Sequence, residues 1–157
     1  MKAKWGTAHA LGMLGNIARA ESGYERARIL YEESRDLCQE LGDRQGLAYV
    51  FWYLGRLTLY EDEITVAQAL LEKGLELARG IGSEGLTAWV LRTLASVARH
   101  QADYETAQAL LVESLGQARE SGEKEIMSKE GRFSFTLSSP PSPPPAPPGG
   151  SSTGQSN

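Results

Sequence analysis

Aromatic and guanidinium side chains recur at matched places along this chain of 157 residues, and their types point to recognition more than to bond-making. Tyr49, Trp52, Arg56 and Tyr60 fall in one stretch with Leu59. Trp89, Arg92 and Arg99 stand forty residues further on with Ser96 and His100, and His9, Gly12, Asn16, Arg19 and Ala20 occupy the same columns earlier. Large rigid rings desolvate well and a guanidinium pairs bidentately with a carboxylate, so these residue types carry much of the energy of protein interfaces. Tyr49, Trp52, Arg56, Tyr60, Trp89, Arg92 and Arg99 are therefore the candidate partner-binding residues, suited to an acidic or aromatic-bearing peptide. Rings at helical spacing also fit a core. The binding surface is the reading taken for Trp52, Arg56 and Arg92, and a packing role competes evenly for the others.

Other chemistries find little support. His9 and His100 lie far apart with no second histidine at metal-ligand spacing, and no nucleophile motif accompanies them. Acid pairs such as Glu32–Glu33 and Glu61–Asp62 read as solvated faces and helix caps. Cys38, the one cysteine, can form neither an internal disulfide nor a multi-thiolate site, which fits packing in a reducing cytoplasm. We therefore expect no catalytic residue, no metal and no cofactor. A net charge of −4, with Lys and Arg scattered among acids, argues against nucleic acid and anionic membranes as partners. No apolar run approaches the roughly 20 residues of a membrane span. The opening MKAKW and HALGMLGNIA resemble an export signal superficially, but they fit better as a first helix because they share the columns of later segments.

That shared register organises the whole chain. Three stretches between about Lys4 and Gly122 align when shifted by forty residues: Leu14, Leu54, Leu94; Gly15, Gly55, Ala95; Tyr24, Ile64, Tyr104; Ala27, Ala67, Ala107; Leu30, Leu70, Leu110; and Gly42, Gly82, Gly122. Each unit must be an element that buries its apolar face against the next. Apolar residues spaced by three and four make every unit two amphipathic helices. The spacing predicts a helix A over 5–21, 44–61 and 84–101 and a helix B over 24–41, 64–81 and 104–121. Ser22 and Glu25 have capping-box spacing. Gly42, Gly82 and Gly122 are expected to close helix B in the left-handed conformation, with Asp43 and Ser83 capping the helices that follow. The small residues at 15, 55, 95 and at 27, 67, 107 let paired backbones approach closely. Leu70 is expected in the core.

A Leu-Gly in the first helix, a small residue twelve positions after the Gly, a bulky one four later and a small one three later again resemble the tetratricopeptide repeat. The sets are Leu14, Gly15, Ala27, Tyr31, Ser34; Leu54, Gly55, Ala67, Leu71, Gly74; and Leu94, Ala95, Ala107, Leu111, Ser114. The forty-residue unit is longer than the family's usual one, and the proline that often closes its second helix is missing. The longer unit is similar to arrays attached to bacterial signal-transduction ATPases and transcriptional activators. The resemblance implies an all-α, right-handed α-solenoid of about three hairpins with a partial capping helix. It further implies a protein-binding scaffold whose concave groove is lined by the stripe named above. The family's terminal-carboxylate clamp fits poorly, since Gly12 and Trp52 stand where it would want a cation and an amide. A regulatory sensor segment of such an ATPase or activator is the alternative, although no P-loop or basic reading helix accompanies the array. Self-association through an array end is a third.

After Gly122 the register fades. EKEIMSKEG could begin a fourth helix A, so the repeat domain is placed at 1–131. Residues 132–157 hold FSFTL, expected to be irregular, and then all seven prolines and a Gly/Ser run, expected to be a disordered and passive tail despite Pro-x-x-Pro spacing at Pro144 and Pro147.

Overall fold

A computed structural model of the chain describes residues 2–129, with side chains from 3 to 122. Six helices follow one another: α1 (Lys2–Ala20), α2 (Tyr24–Leu41), α3 (Arg44–Tyr60), α4 (Ile64–Gly80), α5 (Glu84–His100) and α6 (Tyr104–Lys129). No strand occurs among the described residues. Helix starts at 24, 64 and 104, and at 44 and 84, carry the forty-residue step into the fold. The chain divides into two compact units, 1–122 and 123–157. Of the second, the described residues 123–129 continue α6. The FSFTL segment, the proline-rich tail and the boundary at 131 lie outside the described residues.

Five turns join the helices, and all five use one device. Ser22, Gly42, Asp62, Gly82 and Ala102 adopt φ of 66, 68, 67, 73 and 60°. The amide of the following residue then reaches back five positions to a carbonyl: Gly23 to Ala18 at 2.7 Å, Asp43 to Cys38 at 2.9 Å, Glu63 to Thr58 at 2.9 Å, Ser83 to Ala78 at 3.0 Å and Asp103 to Ala98 at 2.9 Å. This closure satisfies a carbonyl that the ending helix leaves open. Asp43 Oδ1 accepts from the Gly46 amide at 3.0 Å, Ser83 Oγ from Leu86 at 3.4 Å and Asp103 Oδ1 from Thr106 at 3.2 Å, which caps α3, α5 and α6. The hydrogen bonds from Thr106 also hold the Asp103 carboxyl below its ordinary range.

Two expected ends differ. Ser22 is the left-handed residue of its turn, and Gly23 takes the cap position of α2 without a side-chain bond, so the Ser22–Glu25 capping box does not form. Gly122 does not end a helix; α6 runs through it to Lys129, so the expected separate capping helix is a continuation of α6. The good helix formers that follow outweigh the roughly 1 kcal/mol helix penalty of one glycine.

In the first two hairpins helix A lies close on helix B because a side chain is missing where the other helix intrudes. A Cβ on Gly15 would stand 2.5 Å from the Tyr31 ring, and one on Gly55 would stand 2.5 Å from Leu71 Cγ. Tyr31 and Leu71 are fully buried as a result. One turn further, the Ser34 hydroxyl donates to the Ala8 carbonyl at 2.8 Å, and Ser114 donates to the equivalent Ala88 carbonyl at 2.7 Å. Gly74 occupies the same column against the Ala48 carbonyl. Adjacent hairpins then pack α2 on α3 and α4 on α5. The seam contacts repeat too: Arg28 pairs with Glu61, and forty residues on Gln101 donates to Gln68 at 3.1 Å.

The core follows from this stacking. Val50, Leu54 and Leu57 of α3 bury against α2, in one cluster with Leu30 and Leu37, while Leu86, Val90, Leu94 and Val97 of α5 join Leu71, Leu75 and Leu77 of α4 in another. The column of Leu14 is split by position: Leu54 is 2% and Leu94 is 7% exposed, but Leu14 is 47% exposed because no described helix lies on that side of α1. Leu70 is only half-buried, and the fully covered position is its neighbour Leu71. Cys38 is a buried packing residue whose thiol is pushed up first by burial and then by Asp43.

The turns and close contacts make opposite predictions. Ala102→Gly relieves a side chain held in the left-handed region and should raise unfolding stability by about 1 kcal/mol. Gly55→Ala must displace Leu71 and should lower it by about 1–3 kcal/mol. Urea unfolding followed by circular dichroism measures both.

Candidate functional site

The A helices α1, α3 and α5 share one face, and a cleft of about 710 Å³ opens on it. Trp5, His9, Gly12 and Met13 of α1, Gly46, Tyr49, Val50 and Tyr53 of α3 and Trp89 of α5 line it. Glycines at 12 and 46 keep the floor low: a Cβ on Gly12 would touch the Tyr53 ring at 3.6 Å, and one on Gly46 would collide with Asp43 and Cys38. Asp43, the acid on this cleft, is engaged in capping α3.

An aromatic cluster forms the wall. Tyr31 stacks on Tyr53 with centroids 5.2 Å apart, Tyr53 meets Trp52 at 5.6 Å and Tyr49 at 6.3 Å, and Trp89 meets Tyr49 at 6.5 Å and Trp52 at 5.2 Å. Such contacts add about 0.5–1.5 kcal/mol per pair beyond area burial. Within the cluster Trp52 departs from expectation. It is only 8% exposed and belongs to the core, because Trp89 covers one face of its indole and its Nε1–H donates to Thr93 Oγ1 at 2.9 Å. Trp89 is the ring that reaches solvent, at 42% exposure, and Tyr49 is half-buried beside it.

The cations of the stripe sit around and beyond this wall. Arg56 is half-buried with its guanidinium carbon 4.5 Å from the Trp52 ring centre, and Arg19 lies 6.0 Å from that of Tyr60. Burial, and then the charge of Arg19, lowers the pKa of Arg56. Burial also pushes the Tyr31 phenol up, opposed by Arg19, and its hydroxyl donates to Asn16 Oδ1 at 2.6 Å. Tyr60 is exposed and stacks parallel on Tyr24 at 6.2 Å. Arg92 and Arg99 are exposed on α5. No Asp or Glu stands at the stripe columns, although the chain carries 20 acids and 16 Lys and Arg.

The cleft also takes in three residues outside the expected stripe columns. Tyr53 touches three rings, and Trp5 and Met13 line the cleft. Tyr53 lies four residues after Tyr49, on the same helical face, and that spacing was the available signal. His9 lines the cleft, while His100 donates to the Ser96 carbonyl from the far end of α5, so the two histidines form no site. Among the described residues no group of three or more His, Cys, Asp or Glu is placed to hold a metal, and no helix is long and apolar enough to cross a membrane.

Paired antiparallel helices stacked with one repeated seam, and a ring-lined cleft along their A helices, define the class of helical-repeat proteins. Residues 6–80 match the tetratricopeptide repeat model, and that stretch of the chain is built of tetratricopeptide repeats. Repeats of this family generally mediate protein–protein interaction. Among solved structures the chain is similar to BtubC (BKLC) from P. vanneervenii, with a TM-score of 0.63 and 20% sequence identity. That likeness covers 89% of this chain and 52% of the other, so the chain spans about half the length of that protein, and it bears on the fold alone. No curated protein matches the sequence.

The two tryptophans should respond differently to truncation. Trp52→Ala removes a core ring and orphans Thr93, so it should cost about 3–5 kcal/mol of unfolding stability. Trp89→Ala, at a half-open site, should cost clearly less, about 1–2 kcal/mol. Equilibrium denaturation of both variants decides this ordering.

Proposed function

We propose that this protein is an interaction scaffold that holds a peptide or helix of a partner protein along the α1–α3–α5 face. The observation that carries this reading is the segregation of charge and rings. A chain of net charge −4 places Arg19, Arg56, Arg92 and Arg99 on one stripe with no acid, beside a cleft walled by Tyr49, Tyr53 and Trp89. Rings give rigid apolar contact at small entropic cost, and cations select and steer an acidic segment. The partner-binding set is accordingly Tyr49, Arg56, Tyr60, Trp89, Arg92 and Arg99, with Trp52 acting from beneath by fixing Trp89 and Arg56.

Selection of displayed random peptides on the full chain tests the reading. Binders should be rich in Asp or Glu and in aromatic residues, and Arg92→Glu should weaken them about tenfold or more while helical content and melting temperature hold. Binders indifferent to both Arg92→Glu and Trp89→Ala would place recognition elsewhere.

A further inference from the structure

The two ends of the helical stack leave matched faces uncovered. Val50, Leu54 and Leu57 of α3 are buried in one core with residues of α2, and Val90, Leu94 and Val97 of α5 in another with residues of α4. Ala10, Leu14 and Ile17 hold the same columns on α1, and all three are exposed. At the other end, Ile64, Leu71 and Leu75 of α4 pack into the core they share with α5, whereas Tyr104, Leu111 and Leu115 in the corresponding columns of α6 are exposed. Among the described residues, one end is thus a helix A face without a preceding helix B, and the other a helix B face without a following helix A. Contiguous apolar area of this kind favours association in water.

The polar contacts of the internal seams extend to the same two ends. Arg28 pairs with Glu61 across the α2–α3 seam, and Gln101 donates to Gln68 at the same columns of the α4–α5 seam. One further step of forty residues sets Gln108 of α6 opposite the column of Glu21, which stands just past α1. Arg79 of α4 pairs with Glu113 of α6, and the same step sets Arg119 of α6 opposite the column of Glu33 on α2. Gln108, Glu21, Arg119 and Glu33 are all exposed, and among the described residues neither Arg119 nor Glu33 is in an ion pair. An amide donor and a cation on the α6 end therefore match two acids on the α1 end.

We propose that the α6 end of one copy stacks on the α1 end of a second copy. The contact repeats the internal seam, with Leu111 and Leu115 against Leu14 and Ile17, Gln108 against Glu21 and Arg119 against Glu33. It is head-to-tail, so each pair keeps a free end of either kind and assembly continues past the dimer. A like-with-like contact would reproduce neither the helix A-on-helix B order nor these pairs, and at the α1 end it would bring Glu21 and Glu33 toward their own copies. The inference goes beyond the peptide-binding reading and does not rest on it.

Sedimentation velocity of the full chain over a concentration series tests the stacking, and the mass should rise beyond the dimer as concentration increases. Leu14→Glu and Leu111→Glu, each at an exposed position, should keep the helical content and give monomers when alone. An equimolar mixture of the two should give a one-to-one dimer that grows no further, because each variant retains one intact end. Glu33→Arg should weaken association about tenfold, and adding Arg119→Glu to the same chain should restore it. A full chain that stays monomeric would overturn the proposal, and NOE contacts from 132–157 to the Leu111 and Leu115 methyls of that monomer would give the face to the chain's own C-terminal segment. Self-association that survives either leucine variant, or blocked copies that fail to pair on mixing, would overturn the head-to-tail order.

Discussion

The absence of a side chain at Gly15 and Gly55 governs the architecture, because the Tyr31 ring and the Leu71 side chain occupy the space where a Cβ would stand. Close approach there brings the next turn of helix B against helix A, where Ser34 bonds to the backbone carbonyl of Ala8 and Gly74 meets that of Ala48. With the same hairpin geometry repeated and the same left-handed turn at five junctions, α1, α3 and α5 come to share one face. Recognition chemistry is then a matter of which side chains the A helices place on that face.

Much of this was legible in the chain itself. Six columns at one period fixed the hairpins, and most helix ends fall within a residue or so of expectation because Gly42, Gly82, Asp43 and Ser83 carry their conformational and capping preferences locally. The failures share a cause, which is that a column reports only what a position does when its neighbours are present. Leu14 has the type of Leu54 without its cover. Gly122 has the type of Gly82, but a helix-forming sequence follows where a cap should stand. Ser22 had the spacing of a cap, yet the turn needed a left-handed residue at that place.

The candidate site was read with similar partiality. Residue type and helical face define the stripe columns, but burial depends on what the adjacent hairpin sets against them. Trp52 has the chemistry of an interface anchor and is instead covered by Trp89, one unit away in sequence. Tyr53 was passed over although it sits on the same face as Tyr49, and it proves to be the hub of the ring cluster. Arg92 and Arg99 are exposed on α5, while Arg56 is half-buried against the Trp52 ring.

The one-sided cover of α1 has a thermodynamic consequence. In a stacked array each hairpin draws cohesion from both flanks, so a helix with a single flank opens at lower free energy than one held between two. α1 should therefore detach in rare excursions while α3 stays closed, and its backbone amides would exchange with deuterium sooner.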